Sequence, residues 1–264
     1  MNRNARLGLG LAGSLLLTGC FDVEQTLVLQ KDLSGKAGFS MKVSLEPMVS
    51  MMLMMQRSME GKEGDPTPEE LAQARKDFLA KSSSESKPDP EQQKADLAKS
   101  LPAGVTLLDS RFQEKELDIL AAFTLGFDDV HKLKQVRLDA KPAEGEAAGP
   151  PGPPNPFDTP FGDLEVTDEG GTFLLTTKAT NPLEEQKEEM GGPEGVDPEM
   201  AKQLEQAFKD LRVAWKIEAP FEVLESNAHR REGKTLIWEY TLDSMKDMDP
   251  AKAAEGIRVR YKKG

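Results

Sequence analysis

Apolar and polar side chains alternate through residues 23–45, and a helical period replaces the alternation from Pro47 onward. Val23 to Gln30 alternates almost throughout, and Ala37, Phe39, Met41, Val43 and Leu45 interleave with Gly38, Ser40, Lys42, Ser44 and Glu46. A period of two marks a half-buried strand, and the run Lys31-Asp32-Leu33-Ser34-Gly35-Lys36 between the two stretches predicts a hairpin turn. Pro47 stops the strand and opens a helix. Met48, Met51, Met52, Met55 and Met59 then recur at i, i+3, i+4, i+7 and i+11, one face of that helix, which Leu53 and Met54 widen. Thr67-Pro68-Glu69-Glu70 has the form of a capping box and begins a second helix with Leu71, Ala74 and Phe78 inward. Asp89-Pro90 begins a third.

Val105 to Phe112 and Leu117 to Phe127 predict a second hairpin around Gln113-Glu114-Lys115-Glu116, its later strand apolar on both faces and therefore central. Asp128 to Val136 suits a short helix. Lys141 to Gly162 is rich in Pro, Gly and acids and reads as linker, because it offers too little apolar surface to order itself. Leu164 to Val166 and Thr172 to Thr180 predict a third hairpin, and an acidic loop over 181–197 precedes a helix opened by Asp197-Pro198, with Met200, Leu204, Phe208 and Leu211 inward. Strands follow at Val213–Ala219, Thr235–Leu242 and Ile257–Tyr261. The pattern predicts an α+β fold, an antiparallel sheet built from hairpins with helices packed on one face. Its flexible Pro/Gly/acid-rich segments fall near 141–163 and 181–197.

The N-terminus follows another logic. Arg3 and Arg6 precede an apolar run, Leu7 to Leu17, that closes on the small residues Thr18-Gly19, the layout of an export signal. The run is shorter than the ~20 apolar residues that span a bilayer. Leu17-Thr18-Gly19-Cys20 resembles the bacterial lipobox, which implies diacylglycerol on the Cys20 thiol, cleavage before Cys20, and a palmitate-type acyl group on the new N-terminus. Residues 1–19 are thus expected to be a lipoprotein signal peptide and 20–264 a single ectodomain held to a membrane by the lipidated Cys20. Phe21 after the cysteine, in place of Asp, favours the outer over the inner membrane under the common sorting rule. Cys20 is the only cysteine, so neither disulfides nor Cys-ligated metal enters the fold.

The formal net charge of −12 argues against nucleic acid as a partner. Arg258, Arg260, Lys262 and Lys263 form a basic C-terminal stretch suited to guarding a sheet edge or touching anionic headgroups. His131 and His229 are the only imidazoles. There is no His-Glu-x-x-His, no Gly-x-Ser-x-Gly and no phosphate-binding Gly-x-x-x-x-Gly-Lys. Asp163, Asp168 and Glu169 lack the spacing of a calcium loop. No enzyme activity, metal or cofactor is expected.

The Met-rich helix is the remaining candidate. Met side chains are unbranched and polarisable and adapt to irregular partners, an acyl chain among them, yet the same stripe also serves to fill gaps in a core. Both readings of Met48, Met51, Met52, Met55 and Met59 stand at this level, as cleft or as core. Trp215 and Trp238, each in an alternating strand, read as core.

Trp215-Lys-Ile-Glu-Ala-Pro-Phe-Glu-Val-Leu-Glu-Ser-Asn-Ala228, followed by Leu236-Ile-Trp-Glu-Tyr240, together with a hairpin directly after the lipobox, resembles the LppM family of envelope lipoproteins. The resemblance lies in an early strand hairpin and a late hydrophobic-x-Pro, Asn, hydrophobic-x-Trp pattern, and it leaves residues 47–200 largely unmatched. It implies an α+β ectodomain likened to lipid-binding folds and a role in binding or trafficking envelope lipids or glycolipids. The C-terminal membrane helix common in that family is missing here, and no catalytic residue is carried over. The alternative is a non-enzymatic module or scaffold that recruits an envelope protein partner through the Met helix or the acidic loops.

Overall fold

The computed structural model describes residues 21–62, 64, 66–84, 89–137, 159–177, 208–246, 248–249 and 255–263. The leader, Cys20, the acidic loop over 181–197 and the helix expected at Asp197-Pro198 lie outside the described residues. The strands are β1 (Phe21–Leu29), β2 (Gly35–Ser44), β3 (Val105–Lys115), β4 (Asp118–Phe127), β5 (Glu165–Asp168), β6 (Thr172–Thr177), β7 (Arg212–Glu218), β8 (Glu222–Ser226), β9 (Arg230–Glu232), β10 (Thr235–Thr241) and β11 (Ile257–Lys262). The helices are α1 (Glu46–Met59), α2 (Pro68–Ser84), α3 (Pro90–Ser100) and α4 (Leu242–Lys246), with a 3₁₀ helix at Val130–Gln135.

The fold is mixed α/β with mainly antiparallel sheets. Among the described residues the first sheet has seven strands in the order β3-β4-β2-β1-β7-β10-β9, and the second has four in the order β5-β6-β11-β8. All three expected hairpins form: β1 with β2, β3 with β4, and β5 with β6. At the β1–β2 turn a Cβ on Gly35 would lie 2.0 Å from the Val28 carbonyl oxygen, so only glycine fits that approach. β4 lies between β3 and β2, as its two apolar faces predicted. β1 pairs antiparallel with β2 on one side and parallel with β7 on the other. This parallel pairing joins the first and last thirds of the chain.

Residues in register share a face, so Val23, Leu27 and Leu29 of β1 lie level with Ala37 and Phe39 of β2, Phe123 and Leu125 of β4, and Val213, Trp215 and Ile217 of β7. Trp238 sits opposite Trp215. These side chains and Val166, Leu175, Ile257, Val259 and Tyr261 of the second sheet belong to one hydrophobic core. The chain enters the second sheet through β5 and β6, returns to the first at β7, leaves again at β8, and ends in β11 after β9, β10 and α4.

Two expectations need correction, and the helical layer is seen only in part. Of the helical layer expected on one face, only part lies among the described residues; there the core takes in the second sheet, Val130 and Leu133 of the 3₁₀ helix, and Val136 just past its end. Among the helices ahead of β3, α3 reaches the core with Leu97, and Leu101 follows just past its end, while no described residue of α1 or α2 belongs to it. The basic stretch does not guard an edge, because β11 lies between β6 and β8 and its Arg260 pairs with Glu169 and Glu225. The segment read as linker over 141–162 falls mostly outside the described residues, but its end is structural. Phe161 is fully buried and meets Trp215 edge-on, with ring centroids 6.1 Å apart. One bulky aromatic there outweighs the polar composition of its neighbours.

Candidate functional site

α1 begins where β2 ends. Phe21, the first residue of β1, pairs with Val43, which pairs in turn with Ile119 of β4, and Glu46 opens the helix three residues later. The Leu45 amide donates to the Leu117 carbonyl at 2.7 Å and ties the junction to the β3–β4 turn. Pro47 occupies the first turn of α1, where its missing N–H costs nothing. The expected capping box starts α2: the Glu70 amide donates to Thr67 Oγ1 at 3.2 Å, and the Thr67 amide donates back to Glu70 Oε2 at 2.8 Å.

Two ion pairs close α1 and α2 into a helical hairpin. Arg57 donates to Glu70 Oε1 at 2.6 Å, and the Arg75 guanidinium holds Glu46, with Nε 2.7 Å from Oε1. The amide of Thr67, assisted by Arg57, keeps the Glu70 carboxyl below the usual carboxylate range. Glu46 and Arg57 are the only charged residues of α1, and both turn toward α2.

The opposite side of α1 carries the methionines. Met48, Met52, Met55 and Met59 expose 38%, 52%, 51% and 82% of their surface, and their spacing confines them to a stripe about 60° wide. Met51 and Met54 are half-buried, and Val49 is buried. Four of the five predicted methionines thus come together on an exposed face, Met51 lies at its margin, and none fills the core. Cys20 lies outside the described residues and directly precedes Phe21. The apolar face of the first sheet thins toward this same end: Phe21, Met41, Val43, Ile119 and Ala121 are only half-buried, whereas Leu27, Leu125 and Phe127 are buried.

Three constellations lay outside the sequence reading. On the outer face of the first sheet Arg212 donates to Asp22 at 2.8 Å and to Glu239 at 3.1 Å and lies 3.4 Å from Glu24, which also takes Lys216 at 2.7 Å. Burial by itself would raise the Glu239 carboxyl, and Arg212 and Arg230 beside it hold it below its ordinary value. The second constellation is Gln25, buried on the inner face between Phe39 and Trp215 in register, whose Oε1 has no hydrogen-bond partner among the described residues. A polar residue at an inward position of an alternating strand was the available signal for it.

The third is His131. Its Nε2 lies 2.9 Å from the Val166 carbonyl oxygen and its Nδ1 2.7 Å from Asp129, bridging the 3₁₀ helix to β5. Both partners only accept, so both contacts are satisfied together only by the protonated ring. The Val166 carbonyl and Asp129 accordingly raise the His131 pKa. His229 belongs to another place in the fold, edge-on to Tyr240 at 4.9 Å. Asp168 and Glu169 pair with Lys263 and Arg260, and no group of three or more His, Cys, Asp or Glu is placed to hold a metal among the described residues. None of the described helices is long and apolar enough to cross a membrane.

No family model matches the chain, and no curated protein is similar to it at a significant level. Among solved structures the chain is similar to the NMR structure of the folded domain of Mycobacterium tuberculosis LppM, at 10% identity and a TM-score of 0.42, over 96% of this chain and 95% of that one.

Proposed function

We propose that this protein is a bacterial envelope lipoprotein, anchored through Cys20, whose ectodomain binds or moves envelope lipids or glycolipids without catalysing a reaction. The observation that carries this reading is the exposed stripe Met48-Met52-Met55-Met59 on a helix that begins at the end of the sheet adjoining the attachment residue. Unbranched, uncharged thioether side chains suit the disordered methylenes of an acyl chain, and a polar ligand would gain little from them. The lipobox-like Leu17-Thr18-Gly19-Cys20 supports the anchor, and the sequence resemblance to the LppM family supports the lipid. Phe21 after the anchor supports the outer membrane.

Cys20→Ser tests the anchor. The variant is expected to accumulate as unprocessed precursor that takes up no fatty-acid label, and equal labelling of variant and parent would refute the assignment. A second reading draws on the same exposure: a stripe on a helical hairpin outside the core also suits a protein partner in the envelope. The two separate on whether a lipid probe competes for the stripe.

A further inference from the structure

We infer that the α1 stripe seats the protein on the bilayer that holds its anchor: Met48, Met52, Met55 and Met59 lie at the boundary between headgroups and acyl chains of the leaflet in which the Cys20 lipid is embedded. The inference rests on the anchor proposed above and names the partner of the stripe.

Hardly any tether separates the attachment point from the fold. β1 starts at Phe21, one residue past the attachment point, and one residue spans at most about 3.6 Å. Asp22, the next residue, is fixed in the sheet, paired with Lys42 of β2 on one side and with Arg212 of β7 on the other, and its carboxylate is clamped by the Arg212 guanidinium at 2.8 Å. The lipid is therefore joined to a seven-stranded sheet with almost no slack. Whatever stands at the Phe21 end of that sheet is held near the membrane surface.

α1 starts at that end, since Val43 lies opposite Phe21 and the helix begins at Glu46. Its chemistry suits the site. Both charges of α1 are paired toward α2, so the outward stripe enters the interface without taking a charge from water. An interfacial helix needs a polar face turned away from the lipid, and here α2 occupies that face. Because two or more acyl chains already make attachment stable, the stripe adds orientation more than retention.

The lipidated full-length protein provides the test, because acylation consumes the thiol of its only cysteine. Met52→Cys and Val28→Cys each introduce one reactive thiol at an exposed position, and Val28 lies seven residues up β1 from Phe21, about 23 Å away. Each variant is labelled with a fluorophore and reconstituted into vesicles of phosphatidylethanolamine and phosphatidylglycerol containing phosphatidylcholine with a nitroxide on its acyl chain. The label at position 52 is expected to lose emission and the label at position 28 to keep it. Adding Met48→Gln and Met55→Gln to Met52→Cys is expected to restore emission while the protein still floats with the vesicles. Flotation with an unquenched label at position 52, or with equal quenching at both positions, overturns the seating. Failure of the acylated protein to float refutes the anchor, and the seating with it.

Discussion

Asn227 Oδ1 accepts the indole N–H of Trp238 at 2.8 Å and, with the same oxygen, the backbone amide of Arg258 at 2.9 Å. Its Nδ2 donates to the Gly256 carbonyl at 2.8 Å. One carboxamide thus fastens a core tryptophan of the first sheet to β11, an interior strand of the second. This gives the Asn and Trp of the late sequence pattern a physical reason to occur together. Asn227→Ala leaves the indole N–H of the fully buried Trp238 without a partner, and a loss of about 1–3 kcal/mol is expected in urea unfolding. An unchanged midpoint would show that water replaces the side chain.

Arg212 is the second fastening. Its removal strands Asp22, a nearly buried carboxylate two residues beyond Cys20. Arg212→Ala should lower stability by about 2–4 kcal/mol, and adding Asp22→Asn should recover part of it, because the stranded charge is then gone. Arg212→Lys is expected to recover less than the parent, since an ammonium cannot fork between Asp22 and Glu239. Additive effects of Arg212→Ala and Asp22→Asn would show that the two side chains do not act as a pair.

Local patterns made much of this fold legible. Alternation located all three hairpins, and the Thr67-Pro68-Glu69-Glu70 signature located the start of α2 to the residue. The parallel pairing of β1 with β7 was not legible, because register between strands nearly two hundred positions apart leaves no local trace. Short β8 and β9 carry too few residues for a period. Periodicity grouped the methionines of α1 on one face but does not say whether that face turns in or out. That was decided by Glu46 and Arg57, whose partners Arg75 and Glu70 belong to another helix. Gln25 stayed hidden inside an alternating strand, where one polar residue barely disturbs the pattern.

Phe161 shows the same limit from another side, since a composition window averages it into linker. Phe161→Ala is expected to cost about 3–5 kcal/mol by thermal or urea unfolding, as a buried aromatic packed on Trp215 should. Phe112→Ala, at an exposed position of edge strand β3, is expected to cost within about 0.5 kcal/mol. Equal costs would contradict the burial difference.

His131 makes stability depend on pH. Its folded pKa is raised, so the contribution is fully present below the unfolded value of about 6.5 and is lost as pH rises through the folded value. The ring is half exposed, and solvent screening keeps the effect under about 1 kcal/mol. Asp129, whose pKa is lowered by the His131 amide and then by the ring, acts in the opposite sense and withdraws stability only in acid. Comparing unfolding midpoints of the parent and His131→Gln across neutral pH should show a decline in the parent that the variant lacks, and parallel curves would show that the bridge does not contribute to stability.

Whether the exposed Met stripe contacts lipid is decided by Met52→Gln with Met55→Gln. All core residues among those described lie beyond Cys20, so the chain from residue 20 onward carrying Cys20→Ser keeps them and stays free of lipid. Affinity for a fluorescent fatty acid and the unfolding free energy are measured on that chain with and without the two substitutions. Both side chains are half exposed, so stability should move by no more than about 1 kcal/mol, while affinity should fall roughly tenfold or more. Unchanged affinity in a folded double variant would remove the stripe from lipid contact, and global unfolding would return these methionines to the core.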